Sequence, residues 1–169
     1  MLDACENYTS NKRMRNWILI ILAAGCFLYW KHSRGPSDAP IAAAKSPAFR
    51  ELVTSTSCEG KEKCLIVYVT PWCPACEQMS PYLLKIQEKS KNDPELGIKM
   101  IVGQERSPGG NQKIADRYGD TTVIDLDLSV HQMLNVKYYP TILLVRQDGI
   151  ISGRDNVAFE FAFRRYQLQ

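Results

Sequence analysis

The chain has 169 residues, of which 45% are hydrophobic and 23% are charged. This composition indicates one globular domain with accessory segments, and it excludes an intrinsically disordered chain. Residues 48–169 carry 15 basic and 15 acidic residues, so the net charge of +3 comes entirely from residues 1–47. A neutral domain argues against nucleic acid as a partner, because such proteins carry a basic face on the folded domain.

The first predicted element is an uncharged run, residues 17–30 (WILIILAAGCFLYW), between basic flanks. As a helix it would rise about 21 Å, less than the ~30 Å hydrocarbon core of a bilayer. The flanking basic side chains can snorkel, and the aromatic residues near the two ends of the run suit membrane interfaces. We therefore predict a single-pass signal anchor over residues 17–30, preceded by a cytoplasmic segment over residues 1–16.

The flanking charges also predict the orientation of the anchor. Three basic residues precede the run and two follow it, which favours a cytoplasmic N-terminus and an extracytoplasmic, periplasmic domain. Three alternatives stay open: a cleaved signal peptide, with its first clean site at residues 42–44, a lipoprotein modified at Cys26, and a buried core helix, which the basic flanks disfavour. Residues 31–47 contain three prolines and are predicted to be a linker, followed by a folded domain over residues 48–169.

The remaining sequence alternates between strand and helix patterns. A helix begins at Ser46-Pro47, where serine can cap and proline suits the first turn. This first helix is predicted to end near residue 54. Apolar runs and turn signals predict strands at 65–69, 98–102, 122–124, 141–146 and 150–152. Further helices are predicted at 74–90, 112–118, 129–135 and 156–167. This alternation predicts an α/β fold with a central mixed sheet flanked by helices.

Two cysteines separated by two residues lie where the first strand meets a helix. Cys73 is predicted at the helix N-terminus, where unpaired N–H groups and the helix dipole favour a thiolate. A thiolate is the nucleophilic form of cysteine. Cys76 lies one turn further along and can attack a mixed disulfide to release the product. The spacing therefore predicts a redox-active dithiol.

The surrounding residues resemble the thioredoxin superfamily. Trp72 and the two cysteines match its active site, Pro81 matches its helix-kinking proline, and Tyr139-Pro140-Thr141 before an apolar strand matches its cis-proline segment. The resemblance covers residues 48–169 and implies a thioredoxin-like fold in which Cys73 and Cys76 are catalytic. It also implies a platform for a substrate strand, formed by Trp72, Tyr139, Pro140 and Thr141.

The segment near residues 112–124 is similar to an insertion of the TlpA-like, membrane-anchored group. That resemblance implies a protein that reduces disulfides outside the cytoplasmic membrane. One departure is Val67, where thioredoxin has a buried aspartate, so Cys76 needs another acid or water; Glu77 is the nearest acid in sequence. Residues 74–75 also lack the histidine of strongly oxidising relatives, which favours a reductase.

Cys58 and Cys64 lie just before the first predicted strand. They are predicted to form a structural disulfide, as is common in oxidising compartments. A second redox pair that relays electrons is one alternative, and a zinc site using all four clustered cysteines is another. The sequence offers no partner for His131 on its predicted helix, and Asp127 and Ser129 are interpreted as caps of that helix.

Together these patterns predict a protein-disulfide reductase that contributes to cell redox homeostasis. Its partners are expected to be disulfide-containing proteins, a redox protein that donates or accepts electrons, and the membrane, through residues 17–30. No organic cofactor and no metal are expected. Two alternatives stay open: a thiol oxidase or disulfide isomerase, and a non-catalytic thioredoxin-like module that holds a partner at the membrane.

Overall fold

The structure is a computed structural model, and it describes residues 46–54 and 57–168. Ten helices and strands occur in this part of the chain. They are α1 Pro47–Thr54, β1 Lys63–Val69, α2 Pro74–Ser90, β2 Leu96–Gly103, α3 Gly110–Tyr118, β3 Val123–Asp125, α4 Ser129–Met133, β4 Thr141–Arg146, β5 Ile151–Arg154 and α5 Asn156–Arg165.

The five strands form one sheet in the order β3-β2-β1-β4-β5. The central strand β1 pairs in parallel with β2 and antiparallel with β4. On the β2 side of the sheet, β3 pairs with β2 in parallel, and on the β4 side, β5 pairs with β4 in antiparallel. The predicted α/β fold with a central mixed sheet is therefore confirmed.

Helices cover both faces of the sheet, so β1 is apolar on both sides. Leu65, Val67 and Val69 pack with α2, α3 and α5 on one face, which we call the α2 face. Ile66 and Tyr68 pack with α1 and α4 on the other, which we call the α1 face. Strand side chains alternate between faces, so the continuous run in β1 reflects burial on both.

A buried carboxylate joins the end of α5 to the loop before β2. Asp93 accepts hydrogen bonds from Arg165 Nε at 2.6 Å and Nη2 at 2.8 Å, and from the Tyr166 hydroxyl at 2.8 Å. Its Oδ1 also accepts the backbone N–H of Glu95 at 2.8 Å. The hydrogen bonds from Arg165 hold the pKa of Asp93 well below its ordinary value.

Several element ends differ from the predicted ones because pairing extends the strands. β2 begins at Leu96 instead of residue 98, since Leu96 pairs with Lys63 of β1. β5 runs from Ile151 to Arg154, because Gly149 takes up a left-handed turn conformation with φ +83° before it. The capping prediction for α1 agrees with the structure, in which the Ser46 hydroxyl accepts the Phe49 N–H at 3.1 Å.

The predicted N-terminal segments lie outside the described residues. These segments are the cytoplasmic segment 1–16, the anchor 17–30 and residues 31–45 of the linker. The last two residues of the predicted linker are described, and Pro47 already belongs to α1. Within the part of the chain that is described, no helix has the length and apolar character required to cross a membrane.

Candidate active site

Cys73 lies at the N-terminus of α2, directly after the turn that follows β1. Its extended backbone (φ −90°, ψ 110°) makes it the N-cap residue, and Pro74 takes the first helical turn. The Cys73 sulfur accepts the backbone N–H of Cys76 at 3.1 Å. The sulfur therefore takes the place of a capping oxygen, and the helix end favours negative charge on it.

Cys76 lies one turn deeper in the same helix. Both cysteines are free thiols, with exposed fractions of 7% for Cys73 and 5% for Cys76. Burial raises the pKa of the Cys76 thiol, and its hydrogen bond with Cys73 raises it further. Cys76 is therefore held as a protonated thiol, which suits a residue that reacts second.

The four predicted platform residues surround the dithiol. The Tyr139–Pro140 peptide bond is cis, and the Cys73 thiol donates to the Tyr139 carbonyl oxygen at 3.5 Å. The Trp72 and Tyr139 rings meet edge to face, with centroids 5.4 Å apart. Thr141 begins β4, and its hydroxyl donates to the Tyr138 carbonyl at 2.7 Å. The structure thus brings Trp72 and the cis-proline segment to one side of Cys73.

His131 has partners beside this platform, so the expectation that it has none is wrong. Its Nε2 lies 2.9 Å from the Tyr139 hydroxyl and 3.1 Å from Gln104 Nε2. The Tyr139 ring therefore contacts Trp72 on one side and His131 on another. The sequence gives no signal for this contact, because α4 has only five residues and shows no helical period.

Asp125 holds the short helix α4 in place. Its carboxylate accepts the backbone N–H groups of Val130 at 3.1 Å and His131 at 2.8 Å. The buried Tyr68 hydroxyl also donates to Asp125, at 2.8 Å, and burial raises the pKa of Tyr68 well above its ordinary value. Asp127 accepts the Ser129 N–H at 3.1 Å, but the N-cap residue of α4 is Leu128 and Ser129 is the first residue of the helix, so the prediction that Asp127 and Ser129 are its caps is wrong.

Two residues of the loop after β2 hold the Trp72 side chain. The Trp72 indole N–H donates to the Gln104 carbonyl at 2.6 Å, and the Arg106 guanidinium stacks 3.6 Å from the centre of the ring. A cation over an indole face is a favourable arrangement. The sequence predicted only a loop here, because it contains no periodic pattern.

The position that holds a buried acid in thioredoxin is apolar in the structure as well. Val67 is fully buried on the α2 face, in the cluster that contains Cys76. Glu77 points away from that cluster: its carboxylate pairs with Arg117 and is 66% exposed. The buried Tyr118 belongs to the same cluster as Cys76, and burial raises the pKa of its hydroxyl.

The structure joins Cys58 and Cys64 in a disulfide, with Cα atoms 5.4 Å apart. Both are 2% exposed and belong to the core on the α1 face, whereas Cys73 and Cys76 belong to the core on the α2 face. The sheet therefore separates the two pairs, and the four cysteines do not converge as the zinc alternative requires. The described residues contain no cluster of three or more potential metal ligands.

The sequence matches the model of the Redoxin family over residues 38–164. A search of curated proteins found no match. The fold is similar to a thiol-disulfide oxidoreductase from Bacteroides fragilis, with 15% identity, a TM-score of 0.54 and coverage of 69% of this chain and 88% of that one. It is also similar to a secreted Mycobacterium tuberculosis disulfide oxidoreductase homologous to E. coli DsbE (21% identity, TM-score 0.50, 64% and 82% covered). The fold is similar to StoA from Bacillus subtilis as well, with 16% identity, a TM-score of 0.50 and coverage of 64% of this chain and 83% of that one.

These structures share the fold of the chain, and the family match covers its strands, the dithiol and the cis-proline segment. The family match supports the predicted membership of the thioredoxin superfamily, and the solved structures show that the fold is shared. The arrangement at the end of β1, with two free thiols at a helix N-terminus, is suited to thiol–disulfide exchange. The chain belongs to the Redoxin family.

Proposed function

We propose that the chain reduces disulfides of extracytoplasmic proteins through Cys73 and Cys76. One observation carries the proposal: the Cys73 sulfur caps α2 and lies beside the cis-proline segment, with the Cys76 thiol one turn away. The same arrangement supplies a nucleophile, a resolving thiol and an adjacent surface for the substrate.

The reaction proceeds in two exchanges. The Cys73 thiolate attacks one sulfur of the substrate disulfide, so the substrate S–S bond breaks, a mixed disulfide forms and the other substrate sulfur leaves as a thiolate. Cys76 then loses its proton and attacks the Cys73 sulfur, which releases the second substrate thiol. The substrate gains two electrons and two protons, and the protein is left with a Cys73–Cys76 disulfide. A partner redox protein must then reduce that disulfide.

The raised pKa of Cys76 gives this order of events a physical basis. A thiol that stays protonated does not compete with Cys73 for the substrate disulfide, and it needs a proton acceptor only when the mixed disulfide has formed. Val67 supplies no acid or base for that transfer, so water entering the site carries the proton.

The platform residues position the substrate for this attack. A substrate strand lying beside Pro140 would meet the Trp72 ring and the thiol end of α2 together. Tyr139 is fixed by Trp72 on one side and by His131 on the other, so the segment is held in one position before the substrate arrives. Such preorganisation lowers the entropic cost of binding.

The proposal that electrons pass from the dithiol to the substrate, and not the reverse, is based on the two residues between the cysteines. Pro74 and Ala75 provide no cation to stabilise the reduced dithiol, whereas a strong oxidant needs its reduced form stabilised. We expect the Cys73–Cys76 couple to have a reduction potential nearer to that of thioredoxin, about −270 mV, than to that of DsbA, about −120 mV. Equilibration of the full chain with glutathione buffers measures this potential.

A parallel assay of insulin reduction distinguishes the alternatives. A low potential with insulin reduction supports the reductase, and a potential near about −120 mV supports the oxidase or isomerase. A dithiol that small thiols reduce but that has no activity on insulin supports the non-catalytic module.

The proposed location is the extracytoplasmic side of a membrane, with residues 17–30 as anchor. The basic flanks of that run and the buried disulfide between Cys58 and Cys64 support this proposal, because disulfides persist in oxidising compartments. A reporter active only in the periplasm, fused after Gln169, should be active. The mature chain should retain residues 1–30, and an N-terminus beginning near Lys45 would contradict the anchor.

A further inference from the structure

An open cavity of about 480 Å³ lies on the α1 face, on the opposite side of the sheet from the dithiol. Helices α1 and α4 form its walls, and β2 and β3 contribute to its floor. Its apolar lining comes from Ala48, Leu52, Val123, Val130 and Met133. The volume lies within the ~300–1,000 Å³ of pockets that hold small molecules.

The side chain of a buried lysine also lines this cavity, whose other polar lining residues are Glu51 and Ser129. Lys99 of β2 is 6% exposed, and its side chain faces α1 and α4 because its neighbours Ile98 and Met100 face α2. Within residues 46–54 and 57–168, no hydrogen bond or ion pair engages its ammonium group. Burial lowers the pKa of Lys99 from its ordinary value. The amine therefore lines the open cavity without a partner among the described residues, and a charged group in such a place gains from pairing with an opposite charge.

Glu51 of α1 is the acidic residue in the cavity lining, and it does not satisfy that cation. Its side chain is exposed, and no ion pair joins it to Lys99. Its negative charge disfavours ligands with two or more negative charges, such as phosphate esters. A ligand with one negative charge could pair with Lys99 and still tolerate Glu51.

We propose that this cavity binds a small amphipathic monocarboxylate, whose carboxylate pairs with Lys99 and whose apolar body packs against α1 and α4. The unpaired amine and the apolar lining together define the ligand class. Pairing with a carboxylate gives the Lys99 ammonium a partner that no residue in the described part of the chain provides. The site is separate from the dithiol, so this proposal does not depend on the redox function.

Octanoate is the probe, and the test uses the full chain in lipid nanodiscs so that no free detergent competes for the cavity. Reductive methylation, followed by mass spectrometry of each lysine, gives the rate of modification at Lys99. Saturating octanoate should slow that rate at least fivefold, because pairing keeps the amine protonated and the ligand blocks access. The exposed Lys113, on the α2 face, should react at an unchanged rate.

Two controls separate pairing from simple apolar binding. 1-Octanol has the same chain without the carboxylate and should protect Lys99 much less than octanoate does. Calorimetry should show that Lys99→Met weakens octanoate binding at least tenfold, whereas the matched variant Lys113→Met leaves it unchanged. Methionine fills the same space without a charge, so Lys99→Met should fold.

Three results would overturn the proposal. The first is equal protection by octanoate and octanol, and the second is octanoate binding that survives Lys99→Met. The third is a change in Lys99 reactivity caused by Glu51→Gln but not by octanoate, which would make Glu51 the partner of the amine.

Discussion

Removing the disulfide between Cys58 and Cys64 should weaken the fold without weakening exchange. The perturbation is the double variant Cys58→Ala, Cys64→Ala. The bond closes a loop of seven residues, counted from Cys58 to Cys64 inclusive. Loop-closure entropy for seven residues contributes roughly 2.4 kcal/mol at 25 °C. Losing two buried sulfur atoms adds about 1 kcal/mol or less at each site, so the total is about 3–4 kcal/mol.

This loss is large but should be tolerated by a domain whose free energy of unfolding is about 5–15 kcal/mol. The expected fall in melting temperature is roughly 10 °C. Circular dichroism melts measure this fall. The control is Cys73→Ala, Cys76→Ala, whose melting temperature should fall less, because it loses two buried sulfur atoms but no disulfide.

The position of the disulfide explains why exchange should survive. Cys64 is the second residue of β1 and Cys73 follows the C-terminal end of that strand. The five residue steps from Cys64 to Val69 span about 17 Å at ~3.3 Å per step, and the two pairs also lie on opposite faces of the sheet. Thiol exchange requires sulfur atoms in contact.

The double variant should therefore keep most of its rate of insulin reduction below its melting temperature. A folded double variant that has lost turnover, while small thiols still reduce its Cys73–Cys76 pair, would refute this reasoning. That result would make Cys58 and Cys64 an electron relay.

Two further predictions concern a buried ion pair and a half-buried hydrogen bond. Asp93→Asn should lower the free energy of unfolding at pH 7 by about 3 kcal/mol, measured by urea titration, because it breaks a buried ion pair with Arg165. The control is Glu160→Gln, which breaks an exposed ion pair and should lower the free energy of unfolding by less than about 0.5 kcal/mol. Because folding lowers the pKa of Asp93, its contribution to the free energy of unfolding is present at neutral pH and is lost as the pH falls below about 3.9. The difference in unfolding free energy between wild type and Asp93→Asn should therefore shrink below that pH. His131→Leu should slow insulin reduction about 2–12-fold by removing one hydrogen bond to the platform, and Tyr139→Phe should have a similar effect. Because the two side chains share that hydrogen bond, the double variant should reduce insulin little more slowly than either single variant. Fully additive losses of rate would contradict the hydrogen bond between His131 and Tyr139.

The sequence was sufficient to predict the parts of the site that depend on local order. A buried strand followed by Cys73-Pro74 forces the first sulfur to a helix N-terminus, and the cis Tyr139–Pro140 bond was expected from the family resemblance. The helix α2 also has the predicted bounds, since Pro74 begins it and no periodic pattern extends beyond Ser90.

Contacts between distant segments could not be predicted in this way. His131 meets Gln104 across 27 residues, and Arg106 reaches Trp72 from a loop that has no periodic pattern. Lys99 is one charged residue within an apolar strand pattern, and only the packing of α1 and α4 shows that its amine lines a cavity with no partner among residues 46–54 and 57–168. Such features depend on which elements the sheet order brings together.

The central claim, that Cys73 attacks and Cys76 resolves, is tested most directly by trapping mixed disulfides. The full chain with Cys76→Ser should accumulate disulfide-linked adducts with substrate proteins, because its Cys73 sulfur attacks and no thiol releases the product. The matched variant Cys73→Ser should accumulate none. Adducts that form with Cys73→Ser but not with Cys76→Ser would reverse the two roles and contradict the account.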